Sequence, residues 1–151
     1  MLDLSQMLVR FGVALALGAM MGLERELVGK EAGIRTAMLV ASGAAIFTMI
    51  ALVLPAIVIT SPELIDDSFI HGGSFTIIAN IVVGIGFLGA GIIIKIGEHV
   101  RGLTTAAVVW ATAAIGVLVG LGLIPFAIIA TLVINTLLYL LRTIKVERIG
   151  E

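Results

Sequence analysis

The chain has 151 residues, of which 60% are hydrophobic and only 13% charged, and its mean hydropathy is +1.25; a soluble domain of this size would expose too much apolar surface, so its solvent is the bilayer. Nine basic against ten acidic residues give a net charge of -1, and their interleaving leaves no concentrated basic face, which excludes nucleic-acid binding. The absence of cysteine excludes disulfides, thiolate catalysis and cysteine metal sites.

The first apolar run, residues 4–23, is about 20 residues long, which at about 1.5 Å each matches a hydrocarbon core of about 30 Å. It opens on MLDLSQ and closes in GLEREL, so it reads as a span and not as a cleavable signal peptide. Arg10 lies near the outer end, where its stem is expected to snorkel to the headgroups. Glu24, Arg25 and Glu26 would together cost roughly 9 kcal/mol deep in lipid and therefore mark a membrane boundary.

The second span is predicted over residues 36–54, with Pro55 and Pro62 at its frayed exit. The loop that follows carries Glu63, Asp66, Asp67 and His71 but no Lys or Arg. Mg²⁺ suits a few carboxylates, yet acids on a flexible loop lack preorganisation, and the loop reads as solvated.

The third span, residues 75–94, contains GIGFLGAGIII. Gly84 and Gly91 share one helical face, and Gly86 and Gly89 the opposite one. Two thin faces call for two close neighbours, so this span is expected at the centre of the bundle. The GxGxxG formed by Gly84, Gly86 and Gly89 lies inside an apolar run instead of after a strand, which argues against a dinucleotide site. Two readings of GAG stand: close packing, or a broken helix whose freed carbonyls coordinate a cation.

Residues 103–119 and 124–141 are the fourth and fifth spans, the latter opening with Pro125 in its first turn. Gly18 to Gly22 and Gly116 to Gly120 add two GxxxG spacings, which mean close packing first and a dimer face second. Asn80, Gly84, Phe87 and Gly91 form one stripe, and Thr105, Thr112 and Gly116 another; facing each other they would make a mildly polar seam. Asn135 is a further polar residue within the membrane.

Every basic residue except Arg10 falls in one of three islands: residues 24–35, residues 95–101 and the tail with Arg142, Lys145 and Arg148. Cytoplasmic loops retain positive charge, which places the islands inside and the amino terminus outside. The expected fold is an all-α integral membrane protein of five transmembrane helices with its carboxyl terminus in the cytoplasm. Residues 1–151 read as one membrane domain with no soluble domain. Similar openings at Arg35-Thr36-Ala37 and at residues 101–106 suggest a parallel repeat of two hairpins, with the fifth helix added.

The candidate functional cluster is Glu24, Arg25, Arg35, Arg101, Thr104 and Thr105 at the cytoplasmic boundary, where Glu24 or Glu26 is expected to pair with Arg35 or Arg101 beside helix amino termini. Asn80, Gly84, Gly86, Gly89 and Gly91 form a second set, for packing or a pathway. No acid or histidine lies mid-span, and no nucleophile–base pair, zinc spacing or P-loop appears. The chain is expected to have no catalytic, cofactor or metal site and not to be an enzyme.

GLEREL, GKEAGIRTAMLVASGAAIF, IVVGIGFLGAGIII and VRGLTTAAVVWATAAIG, in this order, resemble the MgtC/SapB family of bacterial and archaeal membrane proteins over nearly the whole chain. The resemblance implies a five-span inner-membrane domain, here in a short form without the carboxyl-terminal domain that often follows. It implies a role in growth or survival at low magnesium and, in some pathogens, virulence and inhibition of the F-type ATP synthase. Motif by motif it gives importance to Glu24, Arg25, Gly33, Arg35, Gly86, Gly89, Gly91, Arg101, Gly102 and Thr105. Thr76, Ile96 and Ala111 stand where members resembling the virulence proteins carry an arginine, an acid and a cysteine, so inhibition of that kind is not expected. The reading is a non-enzymatic regulator of magnesium or membrane-energetic homeostasis, in the plasma membrane as a homo-oligomer, a dimer, or with a membrane protein partner. The alternative is a small-ion transporter or channel for Mg²⁺ or another cation.

Overall fold

The structure, a computed structural model, describes residues 2–59 and 67–147. It contains α1 (Leu4–Leu27), α2 (Ile34–Ile59), α3 (Asp67–Ile92), β1 (Ile94–Ile96), β2 (His99–Arg101), α4 (Leu103–Leu121) and α5 (Ile124–Glu147). All five helices contain an apolar stretch long enough to cross a membrane, so the chain is an all-α polytopic membrane protein.

The helices overrun the predicted spans because a membrane boundary does not end a helix. Glu24, Arg25 and Glu26 are good helix formers and α1 continues through them. It stops where Gly29, at φ +66°, turns its N–H onto the Glu26 carbonyl and Lys30 reaches back to the Arg25 carbonyl. α2 likewise passes through Pro55. α3 is unbroken across GAG to Ile92, which removes the broken-helix reading; in lipid a freed carbonyl finds no water, and the helical ladder satisfies the glycines.

Ile94, predicted within the third span, instead opens a hairpin that pairs Ile94 with Arg101, Lys95 with Val100 and Ile96 with His99. Gly97, at φ +61° with Glu98 at negative φ, gives the Gly-X order of a type II′ turn. The carboxyl ends of α1 and α3 come to the amino ends of α2 and α4, where Gly22 packs on Ile34 and Gly102 on Ile92. This end carries Lys30, Arg35, Lys95 and Arg101 and is termed the basic end.

The centre of the bundle is α2 with α4, not α3. Of their spanning windows 44% and 50% are buried, against 11% for α3. The expected centrality of α3 fails on its own glycines: a Cβ added at Gly84, Gly86 or Gly91 would meet nothing within 4 Å, and one at Gly89 only Ala106, at 3.7 Å. The two GxxxG pairs make the close contacts instead, both against α2. From α1, a Cβ on Gly18 would lie 2.7 Å from the Ala37 carbonyl oxygen and one on Gly22 2.6 Å from Ile34 Cα. From α4, Gly116 sits on the Ala41 carbonyl, and a Cβ on Gly120 would lie 2.6 Å from Thr48 Cβ. Buried Ala37, Ala41, Ala44 and Ala45 let both helices approach.

The polar groups follow this packing. Buried Thr48, Thr112 and Thr131 donate to carbonyls four residues back at 2.8, 2.7 and 2.8 Å, so none is an orphan in lipid. The expected seam between the Asn80 stripe and the Thr105–Gly116 stripe does not form, because Gly116 faces α2 and Thr112 bonds within its own helix. Asn135 ties α5 to α1 through the Met20 carbonyl at 3.3 Å. Arg10 does not snorkel: it donates to the Gly120 carbonyl at 2.6 Å, a cation on the negative end of α4. At the amino end of α1, Ser5 Oγ and the Leu4 N–H donate to Asp3 and hold its exposed carboxyl below the ordinary aspartate value.

Gly18→Ala and Gly116→Ala are therefore expected to lower stability in detergent by about 1–3 kcal/mol through overpacking, whereas Gly86→Ala leaves it unchanged. Thermal unfolding of the purified variants reads this directly. Sensitivity at Gly86 with tolerance at Gly116 would restore α3 as the packing centre.

Candidate functional site

The α1–α2 connection brings three acids and two arginines to the basic end. Each acid has a different use. Glu26 reaches over the connection and its Oε2 accepts from the Ile34 N–H at 2.8 Å, capping α2 with a negative charge at the positive helix end. Gly33 leaves that carboxylate room: an added Cβ would lie 2.6 Å from the oxygen and oblige the Glu26 side chain to shift.

Glu24 pairs with its neighbour: both Nε and Nη2 of Arg25 meet Glu24 Oε2. Arg25 is only 6% exposed, so this ion pair is largely out of water although it stands at the membrane boundary. Glu24 Oε1 is buried with no hydrogen-bond partner. Glu31 is the third acid, and its Oε2 accepts from buried Thr105 Oγ1 on α4 at 3.5 Å, a long contact that links the first connection to the start of α4.

Arg35 and Arg101 are exposed, and neither forms an ion pair among the described residues. The expected pairing of Glu24 or Glu26 with these arginines is not formed, because Arg25 and the open N–H of α2 lie nearer. Thr104 is exposed beside buried Thr105. Gly102 precedes them at φ +85°, packed on the Ile92 carbonyl where no Cβ fits, and its own carbonyl accepts the first α4 bond, from Ala106 N–H at 2.8 Å. The structure thus joins Glu24 to Arg25 and brings Thr105 to Glu31, while Arg35 and Arg101 stand apart. Glu31 was legible only as part of GKEAGIR, since its partner lies 74 residues away.

The second predicted set lies on α3. Gly84 and Asn80 line an apolar groove of about 730 Å³ between α2 and α3. Arg35 and Thr36 stand at its basic end and Phe47 and Ile77 at the other. Gly86 and Gly91 face open space, and Gly89 faces Ala106. Among the described residues no three acids or histidines gather as a metal site. Glu63, Asp66 and Arg148, and the side chains of Asp67, His71 and Lys145, lie outside the described residues.

The family model described as MgtC family matches residues 11–146. The chain is 45% identical over 138 residues to Protein MgtC of Salmonella typhimurium, covering 91% of this chain and 53% of that one. It is also 45% identical over 131 residues to Protein MgtC of Brucella abortus, covering 85% and 48%. The chain spans about half the length of these relatives. No solved structure matches.

Removing one member of a dry ion pair strands the other, at roughly 3–5 kcal/mol, whereas an exposed charge is worth about 0–1 kcal/mol. Arg25→Gln is therefore expected to lower the unfolding midpoint well beyond Arg101→Gln, and Glu24→Gln added to it to recover part of the loss. Equal, additive effects of Arg25→Gln and Arg101→Gln in the same thermal assay would return the pair to a solvated boundary.

Proposed function

Because the chain belongs to the MgtC family, we propose that this multi-pass inner-membrane protein is a non-enzymatic regulator connected to magnesium or membrane-energetic homeostasis. Family membership supports the magnesium connection. The observation that most supports a regulator is the closed core: α1 and α4 seat on α2 through glycines too tight for a Cβ, and buried Thr48, Thr112 and Thr131 spend their hydroxyls on their own helices. Among the described residues such a core offers a cation no ring of free oxygens. The exposed Arg35, Arg101 and Thr104 at the basic end form the proposed contact surface for a membrane protein partner, and self-association as a dimer is part of the same reading.

One observation favours the alternative, a small-cation transporter. Glu24 Oε1 is a buried, unpartnered acceptor at the mouth of the bundle, the kind of atom an ion pathway keeps. Flux separates the two. Purified protein in liposomes is expected to move Mg²⁺, K⁺ and H⁺ no faster than empty vesicles. Mg²⁺ flux abolished by Glu24→Gln would establish the transporter.

We also propose that the basic end faces the cytoplasm, from the charge of its connections. In intact cells an impermeant maleimide should then label Ser68→Cys, and label Gly97→Cys only after permeabilisation. The opposite order would invert the protein.

A further inference from the structure

We propose that the groove between α2 and α3 is a lipid site, holding one acyl chain of an anionic phospholipid from the leaflet that borders the basic end, with its phosphate on Arg35 and Thr36. The inference rests on the membrane-spanning fold alone and holds for a regulator and a transporter alike.

Three features of the groove select this occupant. The first is charge. Arg35 lies in the first turn of α2, exposed, and the acids around it are committed: Glu24 to Arg25, Glu26 to the Ile34 N–H and Glu31 to Thr105. A guanidinium without a carboxylate, next to an exposed threonine hydroxyl, is chemistry that recognises a phosphate. The second is shape. Gly43 and Gly84 both line the groove, and a Cβ on either would meet nothing within 4 Å, so the walls leave open space where other residues would place side chains. Its volume of about 730 Å³ is that of a site for a small molecule and not a packing fault.

The third is length. From Arg35 to Phe47 the α2 wall runs about 18 Å at about 1.5 Å per residue. One leaflet is about 15 Å of hydrocarbon, half of a core of about 30 Å, so the groove matches a single chain descending from the headgroups. A docked transmembrane helix would have to continue through the other leaflet. Asn80, near the deep end, distinguishes the two occupants: an acyl chain makes no use of its amide, whereas a second copy of the chain would hydrogen-bond it.

The test uses the full chain in nanodiscs of equal parts phosphatidylcholine and phosphatidylglycerol, with retained lipid counted by native mass spectrometry after release. The expected result is one phosphatidylglycerol kept per protomer in preference to phosphatidylcholine. Arg35→Gln should reduce retention about tenfold, equivalent to about 1.4 kcal/mol. Gly84→Leu should reduce it by filling the groove while the thermal midpoint holds, and Gly43→Leu repeats that test from the opposite wall should Gly84→Leu misfold. Lys95→Gln and Arg101→Gln, at the same end but outside the groove, should leave retention unchanged. Equal retention of the two lipids, or equal loss with Lys95→Gln or Arg101→Gln, overturns the site as diffuse surface attraction. Loss of a dimer with Asn80→Leu or Gly84→Leu overturns it in favour of a second copy.

Discussion

Backbone contact at four glycines sets the rest of this molecule. Gly18 and Gly22 of α1 and Gly116 and Gly120 of α4 rest on Ala37, Ile34, Ala41 and Thr48 of α2 with no room for a Cβ. In lipid there is little hydrophobic drive between helices, so close approach and its dispersion energy are what hold α1, α2 and α4 together. Once those three are fixed, the ends follow. Arg10 comes to the carboxyl end of α4 and closes on the Gly120 carbonyl, while at the other end the α1–α2 connection comes to the start of α4 and Glu31 meets Thr105.

The basic end sorts its charges by distance and dryness. Glu24 and Arg25, adjacent in sequence and nearly shielded from water, satisfy each other in part and leave one carboxylate oxygen without a donor. Glu26 serves the helix and not a cation. This accounting frees Arg35 and Arg101. Among the described residues these two arginines have no acid partner, and such positive charge at a membrane boundary favours anionic groups.

The spans were legible because hydrocarbon thickness translates directly into sequence length, and no competing effect blurs it. Helix order followed from the same signal. Which glycines pack was not legible from glycine density. α3 has the richest run, yet close packing needs a small surface on the partner as well, and the alanines at 37, 41, 44 and 45 of α2 provide one for α1 and α4. The alanine spacing was the overlooked evidence. The charge cluster was legible in membership but not in pairing, since sequence separation says little about whether a carboxylate reaches an arginine or an unpaired N–H first. The hairpin at 94–101 was hidden because Ile94 extends an apolar run, although Gly97-Glu98 carried a turn signal.

The low burial of α3 takes its meaning from the solvent. In water, a helix with Phe75, Val83 and Phe87 at 77%, 72% and 83% exposure would be an aggregation hazard, and its open glycines an entropic cost without return. In a bilayer the same surface is already solvated by acyl chains, so α3 needs only the α2 and α4 contacts it has. Concavity changes that balance locally. A lipid chain passing a convex helix gains nothing over its neighbours, but one lying between two walls touches protein on both sides. The α2–α3 groove is such a place and ends at an uncommitted arginine, so it offers a lipid both shape and charge.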